Sequence, residues 1–165
     1  LRGSRDFADL ASWRRFMDNA AVMLAGVVLM VVGYRGAGFV NVWVPPAFMT
    51  HIANLLVLIG FWFFALSNIN GTMAARVRHK QLTGVKSWAV AHLLVNGDLA
   101  SIILFGGMLA WAVVSVILIN RANRDWDRPA NVSVKNDVIA FVVGAVLYGI
   151  VAAIHTWLGY YPFPM

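Results

Sequence analysis

Three of the four histidines, His51, His92 and His155, lie in apolar segments. An ionisable side chain at bilayer depth is costly, so its presence there points to function. His92 stands in Ser87-Trp88-Ala89-Val90-Ala91-His92-Leu93-Leu94-Val95, followed by a break at Asn96-Gly97-Asp98 and an uncharged run from Leu99 to Ile119. At a spacing of three to four residues, side chains share one helical face. His51 is thereby grouped with Asn54, His92 with Trp88 and Asn96, and His155 with Tyr148. Neutral imidazole is a good ligand for iron, and two histidines from facing helices can hold a haem between them. The candidate metal ligand is His92, and the wider cofactor-binding set is His92, His155, His51, Trp88 and Asn96. The competing reading is that these histidines only hydrogen-bond between helices or to lipid headgroups. His79, between Arg78 and Lys80, reads as a surface residue near lipid phosphates.

Other chemistry is scarce. With no cysteine there is no disulfide, thiolate nucleophile or cysteine-based zinc site. Asp98 and Asp137 fall at helix N-termini, where capping accounts for them. No nucleophile-and-base pair, P-loop or glycine-rich dinucleotide loop is present.

The elements that must position the histidines are membrane helices. The chain of 165 residues is 61% hydrophobic and only 12% charged, against roughly 25% charged in a soluble domain. Five apolar segments are visible, at about residues 16–34, 48–69, 80–95, 99–119 and 137–157. Two hold an uncharged run near the ~20 residues that cross the hydrocarbon layer. The third would reach only about 24 Å at ~1.5 Å per residue, and it carries Lys80 and Lys86.

Basic residues decide the ambiguity. Four precede the first segment (Arg2, Arg5, Arg14, Arg15), and four lie between the second segment and the middle of the third (Arg76, Arg78, Lys80, Lys86). Four more follow the fourth (Arg121, Arg124, Arg128, Lys135), and Arg35 alone falls on the opposite side. Five crossings give the asymmetry of the positive-inside rule, and this clustering favours a topology signal over nucleic-acid binding. Tyr34, Trp43, Trp157, Tyr160 and Tyr161 then mark the outer interface, and Trp13 and Trp126 the inner one. His51, His92 and His155 come to a common depth, roughly 5 Å inside the outer boundary. Pro45-Pro46 reads as a rigid turn that starts the second helix. The small-residue pairs Gly106 and Ala110, Ala140 and Gly144, and Ala145 and Gly149 are expected to pack the helices against one another. Two glycosylation-like triplets, Asn70-Gly71-Thr72 and Asn131-Val132-Ser133, fall in inner loops and are taken as chance.

The stretch from Arg76 to Asn120 resembles the NnrU family of bacterial membrane proteins, which is related to the zeta-carotene isomerases. The residues that carry the likeness are Arg78-His79, Gly84-Val85-Lys86, Trp88, Ala91-His92-Leu93-Leu94, Asn96-Gly97-Asp98-Leu99-Ala100-Ser101, Leu104-Phe105-Gly106-Gly107 and Ala110-Trp111-Ala112. Gly33-Tyr34, Trp43 with Pro45-Pro46, Asn136-Asp137 and His155 with Trp157-Leu158 extend it over nearly the whole chain. The resemblance implies haem b, held in the isomerases by the helix histidine matching His92 and by a histidine of a first helix that would precede Leu1. It also implies a ligand switch through a cysteine, where this chain has Ala89. Lys80 stands where the family usually has proline.

The expected fold is therefore an all-α, polytopic transmembrane helix bundle forming one domain, with five visible helices and a sixth expected before Leu1. The expected function is a haem-binding membrane protein of redox or nitrogen-oxide metabolism (denitrification), or of carotenoid isomerase-like chemistry. Its expected place is the bacterial inner membrane, with lipid and possible further membrane subunits as partners and no nucleic acid. The alternative is a non-catalytic subunit of a photosynthetic or respiratory complex. With the amino end of the segment cytoplasmic, a reporter fused after Met165 is expected to read as periplasmic. A cytoplasmic readout would remove one crossing, most readily the third.

Overall fold

The computed structural model describes the backbone of residues 3–163 and the side chains of residues 17–163. The side chains of Arg2, Arg5, Trp13, Arg14 and Arg15 thus lie outside the described residues. The helices are α1 Gly3–Gly36, α2 Met49–Leu66, α3 Lys80–Val95, α4 Leu99–Ala122 and α5 Val134–Trp157. A 3₁₀ turn occupies Thr72–Ala75, and there is no β-strand among the described residues. The all-helical reading holds, and four stretches are long and apolar enough to cross a membrane: Met17–Gly36, Met49–Leu66, Leu99–Ala122 and Val134–Trp157. α3, at 16 residues, is shorter.

Helix ends follow local chemistry more closely than the apolar pattern does. α1 begins well before Phe16, because the charged residues there mark a polarity boundary and not a helix stop. α2 ends at Leu66 and not at Ile69, where the Ser67 N–H and hydroxyl both donate to the Phe64 carbonyl, at 3.1 and 2.6 Å. α5 starts at Val134, before Asp137, because the Ser133 hydroxyl accepts the Asn136 N–H at 3.2 Å. The Pro45-Pro46 turn leads into α2, with the Met49 N–H donating to the Pro46 carbonyl at 3.0 Å.

The chain divides into two compact units at Gly38. α1 makes up most of the first. In the second, from Phe39 on, α2 packs between α3 and α5, and α4 packs on α3. The buried side chains of this unit are mostly small: Ala53, Ala65, Ala74, Ala89, Ala91, Ala112, Ala140 and Ala152, with Leu66 and Phe105. Large apolar side chains point outward instead, among them Val114, Ile117 and Leu118 on α4 and Val138, Val142, Val146 and Ile150 on α5. Hydrocarbon tails solvate leucine as well as another helix does, so helices associate in a bilayer by close backbone approach through small residues.

Two approaches set the arrangement. A Cβ on Gly84 of α3 would lie 2.8 Å from the Gly60 carbonyl oxygen of α2 and 2.7 Å from the Phe64 ring. A Cβ on Gly144 of α5 would lie 2.8 Å from the Trp62 backbone nitrogen of α2. Of the three small-residue pairs, Ala140 and Gly144 pack internally as expected. The other two differ. A Cβ on Gly106 or Gly149 meets nothing within 4 Å, and Ala110 is exposed. The reason is that α4 and α5 flank the row α4–α3–α2–α5, each with one principal neighbour, so each keeps an unpacked face.

Gly84→Ala should therefore lower resistance to denaturant in detergent by about 1–3 kcal/mol through overpacking. Gly107→Ala, with open space around it, should be neutral or stabilise by up to about 1 kcal/mol. Equal behaviour of the two variants would contradict the packing described.

Candidate functional site

The last turn of α3 carries His92. Its Nδ1 lies 2.9 Å from the Trp88 carbonyl. A carbonyl only accepts, so Nδ1 carries the proton and the lone pair sits on Nε2. The His92 ring lies against Phe105 of α4, with centroids 4.5 Å apart and planes 30° apart, and against Trp88 at 5.0 Å. Trp88 meets Phe105 edge-on at 5.2 Å. The imidazole is thus fixed by one hydrogen bond and two aromatic surfaces. The depth of α3 is fixed by α2, through the Gly84 approach and through Ser87, whose hydroxyl donates to the Leu56 carbonyl at 2.6 Å.

The break after His92 is built to end one helix and start the next. Asn96 donates to the His92 carbonyl from its backbone N–H at 3.0 Å and from its side-chain amide at 2.8 Å. The Gly97 carbonyl accepts the Val42 and Trp43 N–H groups at 2.8 and 3.1 Å, and the Leu99 N–H donates to the Val40 carbonyl at 2.9 Å. A Cβ on Gly97 would run into the Trp43 carbonyl. The segment before α2 is thereby strapped to the α3–α4 turn. Asp98 caps α4 as expected, accepting the Ser101 N–H at 2.9 Å and its hydroxyl at 2.5 Å. Partial burial works against the charge of Asp98, but hydrogen bonds from Ser101 and Ala100 outweigh it and hold the carboxyl below its usual range.

His155, in the last turn of α5, repeats the His92 arrangement. Its Nδ1 lies 2.8 Å from the Val151 carbonyl, which again leaves the lone pair on Nε2. The chain then folds back. The Tyr160 N–H donates to the His155 carbonyl at 2.8 Å, and the Asn54 amide of α2 donates to the Pro162 carbonyl at 2.8 Å. Phe163 packs edge-on to Tyr148 at 6.4 Å. Asn54 and Tyr148, matched by spacing with His51 and His155, thus hold the tail. His51 is exposed, and no hydrogen bond to its ring occurs among the described residues. No three His, Cys, Asp or Glu side chains converge as a metal group among the described residues. His92, Trp88 and Asn96 are brought together as their spacing requires, and Phe105 joins them. Phe105 was not identifiable by spacing, because it belongs to a different helix.

The opposite end of α3 is a second polar assembly. The Arg78 guanidinium donates to the carbonyls of Asn123, Arg124 and Asp125 at 2.5, 3.3 and 3.1 Å, and His79 Nε2 lies 2.8 Å from Asn120 Oδ1. Arg78 and His79 therefore secure the end of α4, whereas the basic sequence around His79 suggested only lipid phosphates. Asp137 also departs from its expected cap role at α5. It lies inside the first turn, Ser133 takes the cap, and the carboxylate accepts the N–H groups of Thr72 and Met73 at 2.9 and 3.1 Å together with the Thr72 hydroxyl. It closes the 3₁₀ turn from across the fold.

A protein-family model described as NnrU protein matches residues 11–162. The chain belongs to the NnrU family. No curated protein and no solved structure matches it. The central-stretch residues that carried the likeness lie along α3 and α4 and in the turns that flank α3, with Arg78-His79 before α3 and Asn96-Gly97-Asp98 after it.

Because the Asp98 carboxyl is held low in the folded protein, its contribution to stability is complete above the unfolded value of about 4. It fades as pH falls through the folded value. Asp98→Ala should cost about 1 kcal/mol at pH 7 and should show a smaller loss on acidification below pH ~4 than the parent. Denaturation at pH 7 and at successively lower pH checks both expectations.

Proposed function

We propose that this NnrU-family protein is an integral membrane haem-binding protein, with His92 as an iron ligand. The observation that carries this reading is the fixed tautomer of His92: the Trp88 carbonyl holds the proton at Nδ1, so Nε2 is left as a donor. The residues fit the group in their donor chemistry, because neutral imidazole nitrogen is a normal axial ligand of haem iron. Trp88 and Phe105 orient the ring and shield it from water, and Asn96 terminates the helix directly beyond it. When bound, haem would supply one-electron redox chemistry and affinity for nitrogen oxides. The position corresponding to the isomerase cysteine is Ala89, which is fully buried on α3. A thiolate switch at that position is thereby excluded, which favours redox or nitrogen-oxide chemistry over isomerisation. The orientation that goes with this reading has the Arg78 end of α3 at the cytoplasmic face of a bacterial inner membrane.

A second reading, that of a subunit in a larger respiratory or photosynthetic membrane complex, is favoured by the open small-residue faces at Gly106, Ala110 and Gly149.

Protein purified in mild detergent should show a Soret band, and His92→Ala should lose most of it. An undiminished band in the variant would remove His92 from the site. Native mass measurement of the same sample separates a lone haem-carrying bundle from a complex.

A further inference from the structure

We propose that a groove between α3 and α5, floored by the end of α2, binds one acidic phospholipid whose head carries free hydroxyls, of the phosphatidylglycerol type. An acyl chain occupies the groove, and the head lies at the Arg78 end of α3. The inference is independent of the haem reading. α3 and α5 both pack on α2, and two glycines set how they do so. Gly84 brings α3 against Phe64, and Gly144 brings α5 against Phe61 and Trp62. Beside these contacts a groove of about 320 Å³ stays open, within the range of roughly 300–1,000 Å³ that holds small molecules. Phe64 and Ala65 of α2 and Val143 and Leu147 of α5 make its apolar part. Phe64, Val143 and Leu147 are exposed, so a hydrocarbon chain can enter from the bilayer side.

The rest of the lining is polar, and its hydrogen bonds show what it lacks. The Ser67 hydroxyl donates to the Phe64 carbonyl at 2.6 Å, and its oxygen accepts the Asn68 and Gln81 amides at 3.0 and 3.5 Å. Asn68 Oδ1 and Gln81 Oε1 accept no hydrogen bond among the described residues. Polar groups at the edge of the hydrocarbon layer are costly unless partnered, and the partner that suits two amide oxygens carries O–H or N–H donors. Charge decides between those. No Asp or Glu occurs between Asp18 and Asp98, whereas Arg76, Arg78 and Lys80 stand at this end. The Arg78 guanidinium is committed to the carbonyls beyond α4, and the Asp137 carboxylate is taken up by Thr72 and Met73. Lys80, next to Gln81 in the chain, has only the Ala74 carbonyl at 3.4 Å among the described residues. A phosphate is attracted to that ammonium and an amine head is repelled. An anionic head with hydroxyl donors meets both conditions.

Native mass spectrometry of the purified full chain tests the assignment, after removal of lipid and addition of phosphatidylglycerol or phosphatidylethanolamine with identical acyl chains. The parent should retain a single phosphatidylglycerol, with a preference over phosphatidylethanolamine of about five-fold, as one lysine contact to an anionic head implies. Val143→Trp and Leu147→Trp, which fill the groove from its exposed wall, should each lose the retained lipid while keeping the helical content of the parent. Val114→Trp, on the exposed face of α4, should retain it. Lys80→Gln should still hold a lipid but lose the preference between heads. Equal retention in the parent and both groove variants would overturn the site and leave only lipid bound around the bundle at large. Equal retention of the two lipids by the parent would overturn the choice of head.

Discussion

The contact on which the rest of the second unit depends is the approach of α2 and α3 at Gly60 and Gly84. With no side chain on either glycine, the Gly84 backbone comes so near that an added Cβ would stand 2.8 Å from the Gly60 carbonyl. That proximity lets the Ser87 hydroxyl reach the Leu56 carbonyl. It also sets the height of α3 against its neighbours. From that height follow the position of His92 against Phe105, the place of the Gly97 carbonyl under Val42 and Trp43, and the reach of Arg78 to the end of α4. A helix of 16 residues is short for a bilayer. Its two ends are accordingly secured by polar groups from other parts of the chain, so that backbone groups near the boundary are satisfied within the protein.

The interior is an alanine and glycine seam, with the large aliphatic side chains turned outward. This inverts the pattern of a water-soluble domain and agrees with the low charge of the sequence. It also explains why polar side chains are so informative here. A serine, asparagine or histidine inside such a seam must find its partner within the fold. The partners found are nearly all backbone carbonyls: Leu56 for Ser87, Trp88 for His92, Val151 for His155 and Pro162 for Asn54.

The helices were legible because hydropathy and basic-residue clustering are strong, local signals. Helix ends were less so: Ser133 and Ser67 decided two of them, and a single side chain does not stand out in an apolar pattern. The family likeness rested chiefly on residues of α3, α4 and the turns that flank α3, with further positions along the chain, and the match over residues 11–162 bears it out. Contacts between helices were largely hidden. Nothing in the spacing of Asp137 reveals that its carboxylate closes the 3₁₀ turn at Thr72, sixty-five residues away in sequence. Likewise, the small-residue pairs on α4 and α5 look alike in sequence, yet only Ala140 and Gly144 meet α2. Which face of a flanking helix is packed depends on which neighbours it has. For the same reason Phe105 was recognised only as part of a motif, and its place on the His92 ring became visible only with α3 and α4 side by side.

The account turns on two imidazoles held with the proton on Nδ1 and the lone pair on Nε2, a form that makes them ready ligands. Nitrogen NMR of haem-free protein labelled at its histidines reads that tautomer directly, with His92→Ala and His155→Ala used for assignment. The account predicts that the signals of His92 and His155 both report protonated Nδ1 and unprotonated Nε2 at neutral pH. Protonated Nε2 at His92, or rapid averaging between the two forms, would contradict it.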